Sequence, residues 1–173
     1  CTGTTCERYD EAQAYHDHNW GTWRGVTWDW GASRAGEYTL LYGRVQAPDS
    51  MVADAPIFLY LVDSAGFRAV FRPRQVQYVD GRTISTKDGA LRVPSRAVMT
   101  DARGADTLRV ELEIEDAVAT DTRGAVAERG ESGLARILPR PWFIQMKGTA
   151  RISGRIDGQV VSGKGDGFFE SYR

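Results

Sequence analysis

The chain has 173 residues, with 22 Lys and Arg against 23 Asp and Glu and a net charge of −1. That length is most simply one domain with enough chain to bury a core. The balanced charge leaves no electrostatic footprint for DNA, RNA or an anionic membrane, and no apolar run is long enough to span a bilayer.

Asp-Gly pairs at Asp80-Gly81, Asp88-Gly89 and Asp157-Gly158 fall between apolar, β-branched segments. This is the punctuation of an antiparallel all-β protein. Residues 1–13 read as a polar lead-in or an edge strand, and residues 14–173 as a single barrel domain. The two cysteines, Cys1 and Cys6, sit in the lead-in, where a disulfide would close a small loop and stabilise little beyond it. A mature bacterial lipoprotein begins at a cysteine, which makes Cys1 a candidate anchor. A fragment or processed product is the other reading of a chain without an initiating Met. The bacterial cytoplasm and the membrane periphery are the compartments in keeping with these readings.

Residues 14–30 (AYHDHNWGTWRGVTWDW) hold both histidines and four of the five tryptophans. Strand alternation puts His16, His18 and Trp20 on one face and Tyr15, Asp17 and Asn19 on the other. A second short strand carries Val26, Trp28 and Trp30 on one face and Thr27 and Asp29 on the other. Buried polar groups need partners, so ionisable residues bracketed by indoles mark a candidate site. Residues 31–36 read as a turn. Residues 37–45 alternate again, with Tyr38, Leu40, Tyr42 and Arg44 on one side. An inward Arg44 needs a partner, for which Asp29 and Glu170 are the candidates, and such a pair serves structure as readily as function.

Residues 48–56 form a loop, and residues 57–62 (IFLYLV) are apolar on both faces, as in a covered strand. Short strands are expected at 67–71 and at 75–79, the latter closing at the Asp80-Gly81 turn. Residues 84–98 are less regular, with Leu91 and Val93 in a weak strand. Residues 107–115 carry the clearest wall pattern: Leu108, Val110, Leu112 and Ile114 face in, while Arg109, Glu111, Glu113 and Glu115 face out. Residues 116–138 are poor in bulky apolar side chains and read as a long loop or a helix-bearing excursion. Residues 142–152 and 159–172 form a terminal hairpin around Asp157-Gly158. The whole reads as a closed antiparallel barrel or a sandwich.

Residues 15–21 (YHDHNWG), then Trp28-Asp29-Trp30, then residues 40–45 (LLYGRV), resemble the carotenoid 1,2-hydratase (hydroxyneurosporene synthase) family, related to tocopherol cyclase and AttH-type proteins. Residues 165–172 (GDGFFESY) are similar to the final strand of the same group. The resemblance implies a lipocalin-like (calycin) β-barrel, and that this chain corresponds to the C-terminal of two such halves, with an N-terminal half as its missing partner. It also implies a hydratase or cyclase acting without a cofactor on an isoprenoid or polyene. Family members use an aspartate for protonation, whereas Tyr42-Gly43-Arg44 offers no acid. Asp17 and Asp29 are the nearest candidates.

Hydrating an alkene delivers a proton to carbon and leaves a tertiary cation. That chemistry wants a carboxyl kept protonated by apolar surroundings and aromatic faces, each worth about 0.5–2 kcal/mol to a cation. The expected catalytic set is Asp17 as proton donor with His16 and His18 positioning it or acting as acid. Trp20, Trp28, Trp30, Tyr42 and Arg44 are the expected substrate-binding walls. Asp17 points away from the histidines on a regular strand, so all three line one cavity only if a bulge intervenes. The other readings are a satisfied structural cluster and a metal site. The latter is poorly supplied, because His16 and His18 would need a third ligand from far away, and no metal or other cofactor is expected. The alternative function is a module that binds a hydrophobic small molecule or lipid without transforming it.

Overall fold

The computed structural model describes residues 3–8, 10, 16, 18, 26–46, 57–87, 89–122 and 142–173. Among the described residues, nine strands form one antiparallel sheet: β1 (Thr27–Ala35), β2 (Tyr38–Gln46), β3 (Phe58–Asp63), β4 (Gly66–Phe71), β5 (Gln77–Thr86), β6 (Gly89–Arg103), β7 (Asp106–Asp121), β8 (Trp142–Ile156) and β9 (Gln159–Tyr172). Their order across the sheet is β4-β3-β2-β1-β9-β8-β7-β6-β5. Strands consecutive in sequence pair throughout, except β4 with β5, and the first strand pairs with the last.

The order is that of an up-and-down barrel with one unpaired seam. The all-β, antiparallel, lipocalin-like expectation holds in this respect, and the expectation of closure does not: β4 and β5 are edges. Across the seam the chain just past β4 reaches β6: the Arg72 amide donates to the Asp101 carboxylate at 2.7 Å. Both edges are irregular, with register shifts in β4 beside Leu61/Val62 and in β5 at Tyr78/Asp80 and Asp80/Gly81. Such bulges unsettle an edge that would otherwise recruit another strand.

Alternate residues of every strand meet in one core. Leu40, Leu59, Leu61, Val110, Met99 and Phe169 are among its fully buried members, each contributing about 1.5–3 kcal/mol by leaving water. In β7 the predicted inward set of Leu108, Val110, Leu112 and Ile114 is buried, and Arg109, Glu113 and Glu115 are exposed. The terminal hairpin turns at Asp157 (φ 51°) and Gly158 (φ 77°), the pair of left-handed residues that a two-residue hairpin turn requires.

Several boundaries differ from the sequence pattern. The chain does not turn at 31–36. β1 continues to Ala35 and the reversal falls at Gly36 and Glu37. Gly31 is there for space: a Cβ would lie 2.7 Å from the Tyr42 Cζ and 2.8 Å from the Phe169 Cδ1. Asp80-Gly81 is an irregularity inside β5 rather than its end. β6 takes up Leu91 and Val93 in a long regular strand. The first part of the expected excursion, Asp116 to Asp121, is the end of β7. His16 and His18 belong to no strand; the other members of that expected strand lie outside the described residues.

Candidate functional site

β1 divides the aromatic segment between two faces. Asp29, Gly31, Ser33 and Ala35 point into the barrel and are buried, while Trp28 and Trp30 occupy the outer face. The rings on that face are satisfied by one another. Trp28 stacks on Tyr172 (centroids 4.1 Å apart), its partner in register on β9. Trp30 meets Phe58 edge-on at 5.4 Å, and Phe58 stacks on Tyr60. Trp30 and Phe58 reach each other across β2 because Gly43 lies between them. A Cβ at Gly43 would come within 2.5 Å of both rings. This also explains why β3 looks apolar on both sides. The expectation that Trp28 and Trp30 line an interior cavity is corrected here, because strand alternation gives the interior to Asp29 instead.

The interior side of the same strand carries a polar cluster. Asp29 pairs in register with Arg44 of β2 and with Ser171 of β9. The Arg44 Nη2 donates to the Asp29 Oδ2 at 2.9 Å, with the two side chains 14% and 8% exposed. The Tyr78 hydroxyl, from the edge strand β5, donates to the Asp29 Oδ1 at 2.5 Å. One buried carboxylate therefore ties β1 to its neighbour β2 and to the sheet edge β5. The Arg173 guanidinium lies 4.8 Å over the Tyr78 ring, in cation–π range, and its backbone pairs with that of Trp142.

Burial pushes the Tyr78 phenol up, and the Asp29 charge and hydrogen bond push it further. Arg173 and a hydrogen bond from Ser171 oppose the rise. Tyr42, next to the cluster, is raised well above the ordinary tyrosine value, chiefly by burial and then by Tyr78, Asp29 and Glu170. Both phenols keep their protons, and Asp29 acts as acceptor on both oxygens.

Arg44 is incompletely satisfied. A fork-to-fork pair would place both carboxylate oxygens on the guanidinium, but the second oxygen of Asp29 belongs to Tyr78. The Arg44 Nε is buried and has no hydrogen-bond partner among the described residues. Such a donor costs about 1–3 kcal/mol for as long as no acceptor reaches it.

Of the residues expected in the site, Tyr42 and Arg44 are brought together with Asp29, and Trp28 and Trp30 are turned away. His16 and His18 are exposed, and the expectations for Asp17 and Trp20 lie outside the described residues. No group of three or more His, Cys, Asp or Glu poised for a metal occurs among the described residues. A cleft of about 670 Å³ opens elsewhere, lined by Gln77, Thr100, Asp101, Leu108, Arg109 and Ser153 among others, with none of the expected site residues on its walls. Tyr78, Ser171 and Arg173 carried no signal in the sequence, since their link to Asp29 exists only once the sheet is rolled.

No family model matches the chain, and no curated protein matches it. Among solved structures, it is similar to kievitone hydratase from Nectria haematococca, at 15% identity and a TM-score of 0.49. It is also similar to an AttH-type protein from Nitrosomonas europaea, at 17% identity and a TM-score of 0.42. Each comparison covers 83% of this chain and 38% of the other. The chain thus spans well under half the length of the structures it matches.

Proposed function

We propose that this protein binds a hydrophobic small molecule in its barrel and holds an oxygen of that molecule at the Asp29–Arg44–Tyr78 cluster. The observation that carries the reading is the buried Arg44 Nε, a charged donor with no hydrogen-bond partner among the described residues. A few fixed polar groups in a largely apolar enclosure are the usual make-up of a small-molecule site.

The finer reading is hydration or cyclisation of an isoprenoid alkene, as the resemblance carried by the YHDHNWG motif implies. It asks for a group that parts with a proton. Asp29 accepts from Arg44 and Tyr78 on its two oxygens, and Tyr42 and Tyr78 hold their protons tightly. Arg44 stands where the resemblance leads one to look for the acid. Hydration therefore falls to Asp17, with His16 and His18, as its proton source.

Incubation with an acyclic prenyl alcohol, followed by mass spectrometry, separates the two. Binding alone predicts a complex from which the alcohol is recovered with unchanged mass. A gain of one water that disappears in Asp17→Asn would replace binding by hydration.

A further inference from the structure

The two halves of β5 are held in different ways. From Gly81 to Thr86 the strand pairs one for one with β6, Gly81 opposite Pro94 and Thr86 opposite Gly89. The Arg82 Nη1 ties this half further, donating to the Glu115 carbonyl of β7 at 2.5 Å. From Gln77 to Asp80 the register with β6 shifts twice, between Tyr78 and Asp80 and again between Asp80 and Gly81. Where the halves meet, Pro94 has no N–H to give a ladder, and Gly81 weakens a strand interior. The other edge of β5 has no strand paired to it among the described residues.

Gln77, Val79 and Asp80 are exposed, so Tyr78 is the side chain of the first half that turns inward. Its hydroxyl donates to the Asp29 Oδ1 of β1 at 2.5 Å, and the Arg173 guanidinium covers its ring at 4.8 Å. β1 and β5 are not neighbours in the sheet, so a side-chain bond stands here in place of a ladder. Val76, buried just ahead of β5, anchors the near end.

We infer that Gln77–Asp80 is a strap, hinged at Gly81, that opens while the rest of the sheet stays folded, with the Tyr78–Asp29 hydrogen bond as its clasp. A segment with a broken ladder and few buried side chains opens at less cost than the whole fold. A hydrogen bond to a carboxylate is of the strong, charge-assisted kind, so losing this one should shift the balance visibly. Opening bares Asp29 and with it the Arg44 it pairs with, so the strap governs when water or a solute reaches that pair. The strap goes beyond the binding role and needs no guest.

The test is amide hydrogen exchange of the chain without any ligand, read residue by residue by NMR. In the wild type, the protected amides of Gln77–Asp80 should exchange at least tenfold faster than those of Arg82–Ser85. Tyr78→Phe keeps the ring and removes the clasp. It should speed exchange in Gln77–Asp80 by about tenfold more than it speeds exchange in the β7–β8 ladder, the loss expected for one hydrogen bond to a charged group. Equal protection of the two halves in the wild type overturns the strap, and that comparison stands even if the variant fails to fold. A rise in Tyr78→Phe that is the same in β5 and in β7–β8 means that the bond supports the whole fold, and overturns the clasp. No rise at all overturns it too.

Discussion

Asp29 and Trp30 are adjacent in the chain and serve opposite sides of the wall. Asp29 is 6% exposed and accepts from Arg44 and Tyr78 inside the barrel, while Trp30 packs edge-on against Phe58 outside it. The alternation of a single strand thus separates the chemistry of the segment from its aromatic bulk. That separation decides which substitutions should affect a bound guest and which should affect stability alone.

The Asp29–Arg44 pair should behave as a coupled unit. Arg44→Met leaves a buried carboxylate supported only by the Tyr78 hydroxyl. Breaking a buried pair on one side typically costs 3–5 kcal/mol; some solvent access here lowers the expectation to about 2–4 kcal/mol. Asp29→Asn/Arg44→Met removes both charges and leaves Tyr78 a partner in the Asn side chain, so its loss should be smaller, with a coupling energy of about 1–3 kcal/mol. Denaturant unfolding of the wild type, the two single variants and the double variant measures this directly. Strict additivity would mean that the pair is not coupled in solution.

Alkaline pH should unfold the chain earlier than its surface chemistry would suggest. Tyr42 and Tyr78 are both raised in the folded state, mainly by burial, above an unfolded value of about 10. Folding therefore favours their protonated forms. That contribution is present in full below about pH 10 and is lost as the pH climbs through the folded-state values. Thermal unfolding followed against pH should show stability falling steeply above about pH 10. Of the seven tyrosines, these two should appear in the tyrosinate absorbance only as the fold is lost. Tyr78→Phe should remove part of that alkaline sensitivity. Seven tyrosines ionising together in an intact fold would contradict the burial argument.

The fold was legible in the sequence wherever one face of a strand is wet. β7 alternates from Leu108 to Glu115, ahead of its register shift, because its outer residues there are charged, and the terminal hairpin is marked by the turn chemistry of Asp157-Gly158. Legibility failed where a glycine answers to packing rather than to a turn. Gly31 makes room for Tyr42 and Phe169, and Asp80-Gly81 supports an irregularity in an edge strand. In the candidate site, Arg44 could be seen to need a partner, and Asp29 was one of two acids at strand-compatible positions. Tyr78 could not be found in this way. It sits on a strand that never pairs with β1 and meets Asp29 only across the interior, so no local spacing records the contact. The concentration of indoles drew attention to β1, yet Trp28 and Trp30 lie on its outer face, because period two assigns faces without saying which face is inside.

The division of β1 leads to a last expectation, for Trp28 and Trp30. Both rings pack against aromatic neighbours on the outer face, Trp28 on Tyr172 at 4.1 Å and Trp30 on Phe58 at 5.4 Å. Aromatic pairs of this kind add about 0.5–1.5 kcal/mol beyond their buried area. Both residues are only half-buried, so Trp28→Ala and Trp30→Ala should each cost about 1–3 kcal/mol, less than the 3–5 kcal/mol typical of a fully buried indole. Neither change should alter farnesol affinity by more than about twofold once the folded fraction is matched, since 1.4 kcal/mol would be needed for a tenfold change. Tyr42→Leu, on the inward face beside Asp29, should shift affinity although it retains an apolar side chain. Should Trp28→Ala weaken binding as much as Tyr42→Leu does, the guest sits on the outer aromatic face, and the cluster around Asp29 holds the sheet together without touching it.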